Sequence, residues 1–178
     1  KQPVGGVYQT YSYQDSLTSV KKIGSYLHQQ LSDQQPKHVG ILSKNSAHWI
    51  LSDLAIAYAG AISVPFYATL TADQLNQVLV HSECQILIVG KLDQWEQMKA
   101  GIPDHVQIIF TPDSTCTTGV SWESIMNEQS NCIEPILPKK EDLATIVYTS
   151  GTTGIPKGVM ITNESIGIAL NLARTIAH

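Results

Sequence analysis

The absences in this sequence exclude more than its abundances do. No apolar run reaches the roughly 18 residues that a membrane-crossing helix requires. The opening Lys1-Gln2-Pro3-Val4-Gly5-Gly6 holds no apolar core of a secretion signal, and the chain begins without Met, which leaves room for a segment upstream. Three cysteines, at positions 84, 116 and 132, are odd in number and lack C-x-x-C spacing. Neither a disulfide framework nor a zinc site is indicated, and reduced thiols in a cytosol are expected. The six histidines never stand four residues apart, and the sequence has no H-E-x-x-H, G-x-S-x-G or G-x-G-x-x-G string. Metalloprotease, esterase and dehydrogenase chemistries lose their usual support. A net charge of −4, with basic pairs only at Lys21-Lys22 and Lys139-Lys140, leaves no nucleic-acid footprint.

What is present suffices for a core. A chain of 178 residues is about one domain long, and such a chain buries roughly 70% of its unfolded surface. Ser12-Tyr13-Gln14-Asp15 reads as an N-cap, followed by Leu17, Val20, Ile23, Leu27 and Leu31 at helical spacing, which predicts a helix over 13–33. A strand at 38–43 follows. Asn45 or Ser46 caps a second helix that ends at Gly60, with Trp49, Ile50, Leu54, Ala57 and Tyr58 on its inward side. The next elements are a strand at 61–66 and a helix opened by the capping box Thr71-Ala72-Asp73-Gln74, with Leu75, Val78 and Leu79 inward. A strand at 86–89, a helix at 92–100 and a strand at 106–110 complete the series. This alternation predicts an α/β fold, a mainly parallel sheet with helices on both faces. Residues 111–120, rich in Ser and Thr, are expected to be exposed, and residues 122–129 to form a short helix. The expected organisation is an α/β subdomain over 12–129, a linker over 130–141 punctuated by Pro135 and Pro138, and a phosphate-loop segment over 142–178.

That last segment carries the chemistry. Tyr148-Thr149-Ser150-Gly151-Thr152-Thr153-Gly154-Ile155-Pro156-Lys157-Gly158-Val159 stands between two β-branched stretches, so two strands are expected to flank a loop over 150–157. Polyphosphate binding needs many donors at close range. The hydroxyls of Thr149, Ser150, Thr152 and Thr153 supply them, together with backbone N–H groups left open by Gly151 and Gly154. Lys157 adds a mobile ammonium, Pro156 stiffens the turn, and Gly158 admits the second strand. A solvated hairpin loop is the ordinary reading of a short stretch with two Gly and one Lys, but the full string argues for phosphate. It is not the G-x-x-x-x-G-K-[ST] pattern, since Pro156 stands five residues after Gly151 and Gly158 follows Lys157. His48 reads as a structural or surface residue, Glu141-Asp142 as a solvated turn, and the cysteines as inert thiols.

Tyr148 to Val159 resembles the signature Y-T-S-G-T-T-G-x-P-K-G-V of the adenylate-forming (AMP-binding) superfamily at every specified position. Over residues 10–170 the chain is similar to the N-terminal part of that superfamily's large domain. Val64-Pro65-Phe66-Tyr67-Ala68-Thr69-Leu70 most resembles the long-chain fatty-acyl-CoA ligase branch. The resemblance implies an acid–CoA ligase that uses ATP, Mg²⁺ and CoA, activates a carboxylic acid, here a fatty acid, as acyl-AMP with release of pyrophosphate, and then forms the thioester. It implies that Thr149, Ser150, Gly151, Thr152, Thr153, Gly154 and Lys157 bind the β- and γ-phosphates, with Lys157 the catalytic residue among them. It also implies a cytoplasmic enzyme, peripheral to membranes. Thr162-Asn163 departs from the Thr-His common in the family.

The same resemblance implies that adenine, ribose and acid contacts, and a C-terminal catalytic Lys, lie beyond His178. The isolated chain is therefore expected to fold without catalysing, with the helix after Asn163 covering part of a sheet edge and residues 150–157 mobile in the absence of ligand. The rivals are a non-catalytic module that keeps the fold as a nucleotide-binding or interaction scaffold, and an adenylation enzyme for another carboxylate.

Overall fold

Ser12 opens the first helix: its Oγ accepts the Asp15 N–H at 3.0 Å, satisfying a donor that the helix itself leaves unpaired. The computed structural model describes residues 2–4, 7–149 and 156–176. Ahead of Ser12, strands β1 (Gln2–Val4) and β2 (Val7–Gln9) pair antiparallel. Helix α1 spans Tyr13–Gln30 and buries Val20, Ile23 and Leu27, with Leu31 buried just past its end. It stops short of residue 33, and Leu17 is 47% exposed instead of inward.

The alternation expected from the sequence is present: β3 (His38–Leu42), α2 (Ala47–Tyr58), β4 (Ile62–Phe66), α3 (Ala72–His81), β5 (Ile86–Val89), α4 (Trp95–Met98) and β6 (Gln107–Phe110). They are followed by β7 (Val120–Ser121), α5 (Trp122–Glu128), β8 (Leu143–Thr149), β9 (Lys157–Thr162) and α6 (Asn163–Ile176). Seven strands form one sheet in the order β7-β6-β5-β3-β4-β8-β9. Every pairing from β7 to β8 is parallel, and β9 closes the edge antiparallel to β8. The fold is α/β with helices on both faces. One core joins α1, α2 and α5 to Val39, Ile41, Ile86, Ile88 and Ile109 of the strands. The other joins α3 and α4 to Leu42, Val64, Leu87, Val89, Ile146 and Tyr148. Strands buried on both sides have no reason to alternate, which is why Ile86-Leu87-Ile88-Val89 is apolar throughout.

Four local expectations are corrected or narrowed. In α2 the buried side is His48, Leu51, Ser52, Ala55 and Ile56, while Ile50 and Leu54 are 58% and 51% exposed. The helix is apolar nearly all round, so periodicity does not select its inner side. Contact with α1 does: a Cβ on Gly24 would stand 2.9 Å from the Ala55 carbonyl and 2.8 Å from the Tyr58 ring. The helix expected over 92–100 is a short α4 followed by a 3₁₀ turn at Lys99–Gly101. In the Ser/Thr-rich stretch Thr111 and Cys116 are buried, because its polar groups pair locally, Thr111 Oγ1 donating to Asp113 and the Cys116 N–H to Ser114 Oγ. Finally, Ile168, Leu170 and Leu172 of α6 are exposed and leave much of the neighbouring β9 uncovered. No residue separates β9 from α6, so there is no connection to fold the helix back over the strand.

Candidate functional site at the carboxyl edge of the sheet

The antiparallel register of β8 and β9 sets Thr149 opposite Lys157 and Tyr148 opposite Gly158. Directly paired residues share a face of the ladder and successive residues alternate. Thr149 and Lys157 therefore lie side by side at the mouth of the hairpin, both exposed, while Tyr148 points the other way into the α3 side of the core. Lys157 is the first residue of β9, not part of the loop as the sequence suggested. Pro156 is half-buried ahead of it. Ser150, Gly151, Thr152, Thr153 and Gly154 lie outside the described residues, as does most of the 150–157 stretch expected to be mobile.

Gly158 has a packing reason. A Cβ there would stand 2.8 Å from the Ile146 Cγ2 methyl and 3.4 Å from the Tyr148 ring. Tyr148 packs obliquely on Phe66, with ring centroids 6.1 Å apart, and meets the edge of His81 at 5.7 Å and 90°. Its hydroxyl lies 2.6 Å from His81 Nδ1. Burial, with Cys84 nearby, raises the phenol's pKa, so it keeps its proton at neutral pH.

Parallel pairing of β8 with β4 brings the hairpin mouth to the sheet edge where β3, β4, β5 and β6 also end. After β3 the chain crosses to one face through α2, and after β4 to the other through α3. Divergent crossovers open a crevice at the carboxyl ends, the usual ligand position in open α/β sheets. A cleft of about 590 Å³ occupies it, lined by Ser43, Lys44, Trp49, Phe66, Tyr67 and Tyr148 among others. Lys44 pairs with Asp93 across neighbouring turns. These turn residues carry no motif, and only the sheet order brings them beside the hairpin; the one cue in the sequence is the polar turn Ser43-Lys44-Asn45 directly after β3. A second cavity of about 420 Å³, bounded by Lys37, Ile62, Ile136 and Leu143, lies at the amino ends of β4 and β8, away from Thr149 and Lys157.

His48 is buried in the first turn of α2, with Nδ1 3.3 Å from Asp113 Oδ1. It meets Tyr11 and Trp122 edge-on. Asp142 turns the chain into β8, its side chain accepting the Lys139 N–H at 2.8 Å, and Glu141 is exposed. Burial pushes the Cys84 thiol up to about 12, which keeps it unreactive. Among the described residues, no three His, Cys, Asp or Glu side chains cluster as a metal site.

Fold and edge together define an α/β protein whose carboxyl edge carries a Thr–Lys hairpin beside a crevice. The chain belongs to the AMP-binding enzyme family, whose sequence model matches residues 2–177. It is 34% identical over 185 residues to Long chain acyl-CoA synthetase 4 of Arabidopsis thaliana, which covers 90% of this chain and 26% of that protein. Fatty acyl-CoA synthetase A of Dictyostelium discoideum is 31% identical with the same coverage. Among solved structures, the anthranilate CoA ligase AuaEII superposes with a TM-score of 0.73 at 23% identity, over 88% of this chain and 30% of that one. The fatty acyl-adenylate ligase from L. pneumophila does so with 0.69 at 26% identity, over 95% and 28%. The chain thus spans about a quarter of the length of the curated relatives it matches.

Proposed function

We propose that this chain is the phosphate-holding portion of an ATP-dependent acid–CoA ligase, which forms acyl-AMP and then the CoA thioester, with long-chain fatty acids as the acid. The observation that carries the reading is the side-by-side placement of Thr149 and Lys157 at the carboxyl edge, where the crevice admits a nucleotide. When a carboxylate attacks the α-phosphate, charge moves onto the leaving pyrophosphate. A fixed hydroxyl and an ammonium held on paired strands meet that charge without reorganising. Ser150, Gly151, Thr152, Thr153 and Gly154 complete the cradle in this reading.

Mg²⁺ would enter with ATP, bound chiefly by phosphate oxygens, and would neutralise their charge. CoA and the fatty acid complete the proposed substrates. Support for long chains comes from the Arabidopsis long chain acyl-CoA synthetase, and for fatty acids as a class also from the Dictyostelium fatty acyl-CoA synthetase; the scaffold alternative has no such support. We place the enzyme in the cytoplasm, peripheral to membranes; among the described residues no helix is long and apolar enough to cross one.

The test is ATP–pyrophosphate exchange by the parent enzyme. Lys157→Ala removes a charge-assisted bond worth roughly 1.5–3 kcal/mol, so exchange slows about 10- to 100-fold. Unchanged exchange overturns the role of Lys157, and preference for amino acids over fatty acids in an acid panel overturns the substrate class. For the isolated chain we expect no acyl-hydroxamate formation and only weak MgATP binding; micromolar affinity or turnover contradicts this.

A further inference from the structure

Tyr148 begins the phosphate string, yet its register sends it away from Thr149 and Lys157. Its ring is 5% exposed and packed against Phe66 and His81, a task Phe performs equally well. The hydroxyl therefore needs its own explanation: it lies 2.6 Å from His81 Nδ1, with the Ser82 side chain as its other polar neighbour. The imidazole tautomer sets the direction: the phenol donates to a bare Nδ1, or its oxygen accepts from Nδ1–H, and either way one bond joins the two side chains. His81 is the last residue of α3, and α3 is itself firmly placed. The Thr71–Gln74 capping box closes its start, and Leu75, Val78 and Leu79 are buried against the sheet. The bond thus joins the end of a packed helix to the residue directly before Thr149, in a strand whose far partner is the sheet edge β9.

We infer that His81 is a positioning residue for the phosphate hairpin: through the Tyr148 hydroxyl it fixes the outer end of β8, and so the spacing of Thr149 and Lys157 across the mouth. In its consequence for phosphate this rests on the function proposed above. Loss of the bond should leave the fold intact, since His81 is solvent-exposed on its other side and Phe preserves the Tyr148 packing. What changes is the opening of the hairpin mouth.

Amide hydrogen exchange at Tyr148, Thr149, Lys157 and Gly158 of the 178-residue chain tests this without any ligand. Tyr148→Phe and His81→Ala should each speed exchange there about fivefold, the factor of one net hydrogen bond. The double variant should be no faster than either single one, and His81→Asn, whose amide can accept or donate near the Nδ1 position, should recover most of the protection. The melting temperature should fall by no more than about 4 °C, the equivalent of that one bond, and amides that exchange by local opening at α1 and α5, where the bond stays intact, should hold steady. Unchanged mouth exchange, additive single effects, or equal acceleration at α1 and α5 overturns the inference. Tripolyphosphate titration of the same variants separates the two readings. If the wild-type chain fails to bind tripolyphosphate, the phosphate reading is at fault, while the exchange data still decide the role of His81.

Discussion

At the scale of single residues, Gly158 and Asp113 make opposite demands on their surroundings. Gly158 is required by what lies across the ladder. Gly158→Ala forces its methyl against Ile146 and Tyr148, so unfolding in urea should show a loss of about 1–3 kcal/mol, the range of core overpacking. Asp113 is required by charge. Burial alone would raise its pKa, but the His48 imidazole at 3.3 Å and the Thr111 hydroxyl at 2.6 Å outweigh burial and hold it well below the ordinary carboxylate range. The folded state then binds the proton less readily than the unfolded one. Its stabilisation is fully present above the unfolded carboxylate pKa of about 3.9 and is lost as pH falls below that value. Denaturation midpoints measured between about pH 5 and pH 2 should fall less steeply in Asp113→Asn than in the wild-type chain. An unchanged slope contradicts the assignment.

At the scale of elements, α2 shows how an apolar helix misleads. Ile50, Leu51, Leu54, Ala55 and Ile56 offer more than one apolar stripe, and the sequence supports a side containing Leu54 as readily as one containing Leu51. The close approach of α1 at Gly24 selects the latter. Leu51 is 6% exposed and Leu54 51%. Leu51→Ala should therefore cost about 2–5 kcal/mol, whereas Leu54→Ala should stay within about 1 kcal/mol. Equal losses in a thermal or urea series would restore the other assignment. α3 posed no such ambiguity, because a single stripe of Leu75, Val78 and Leu79 follows an explicit capping box, and those three are the residues buried.

At the scale of the whole molecule, the two flanks of the sheet differ. Toward β5 and β6 both faces are covered, whereas at the opposite edge Val159 and Met160 of β9 and Ile168, Leu170 and Leu172 of α6 are exposed together. Exposed apolar side chains in this number bind hydrophobic dyes and promote association. The isolated chain should enhance ANS fluorescence and sediment as larger species with rising concentration. Leu170→Lys combined with Leu172→Glu should reduce both effects without shifting the melting temperature. A monomeric, dye-silent wild-type chain would contradict this.

The sequence by itself determined what depends on near neighbours. Capping side chains at Ser12 and Thr71, runs of β-branched residues, and the family string from Tyr148 to Val159 are local, and each is legible because its pattern spans a few residues. Helix ends and inward faces were legible only where one apolar stripe existed. What sits beside what was decided by tertiary structure alone. Neither strand order nor register is written locally, so the crevice that brings Ser43, Lys44 and Tyr67 alongside Tyr148, the buried meeting of His48 with Asp113, and the reach of Tyr148 to His81 across 67 positions of chain appear only once the parallel sheet has formed. Long-range contacts of this kind are chosen by the packing of whole elements, and that sum is not readable from any one stretch of the chain.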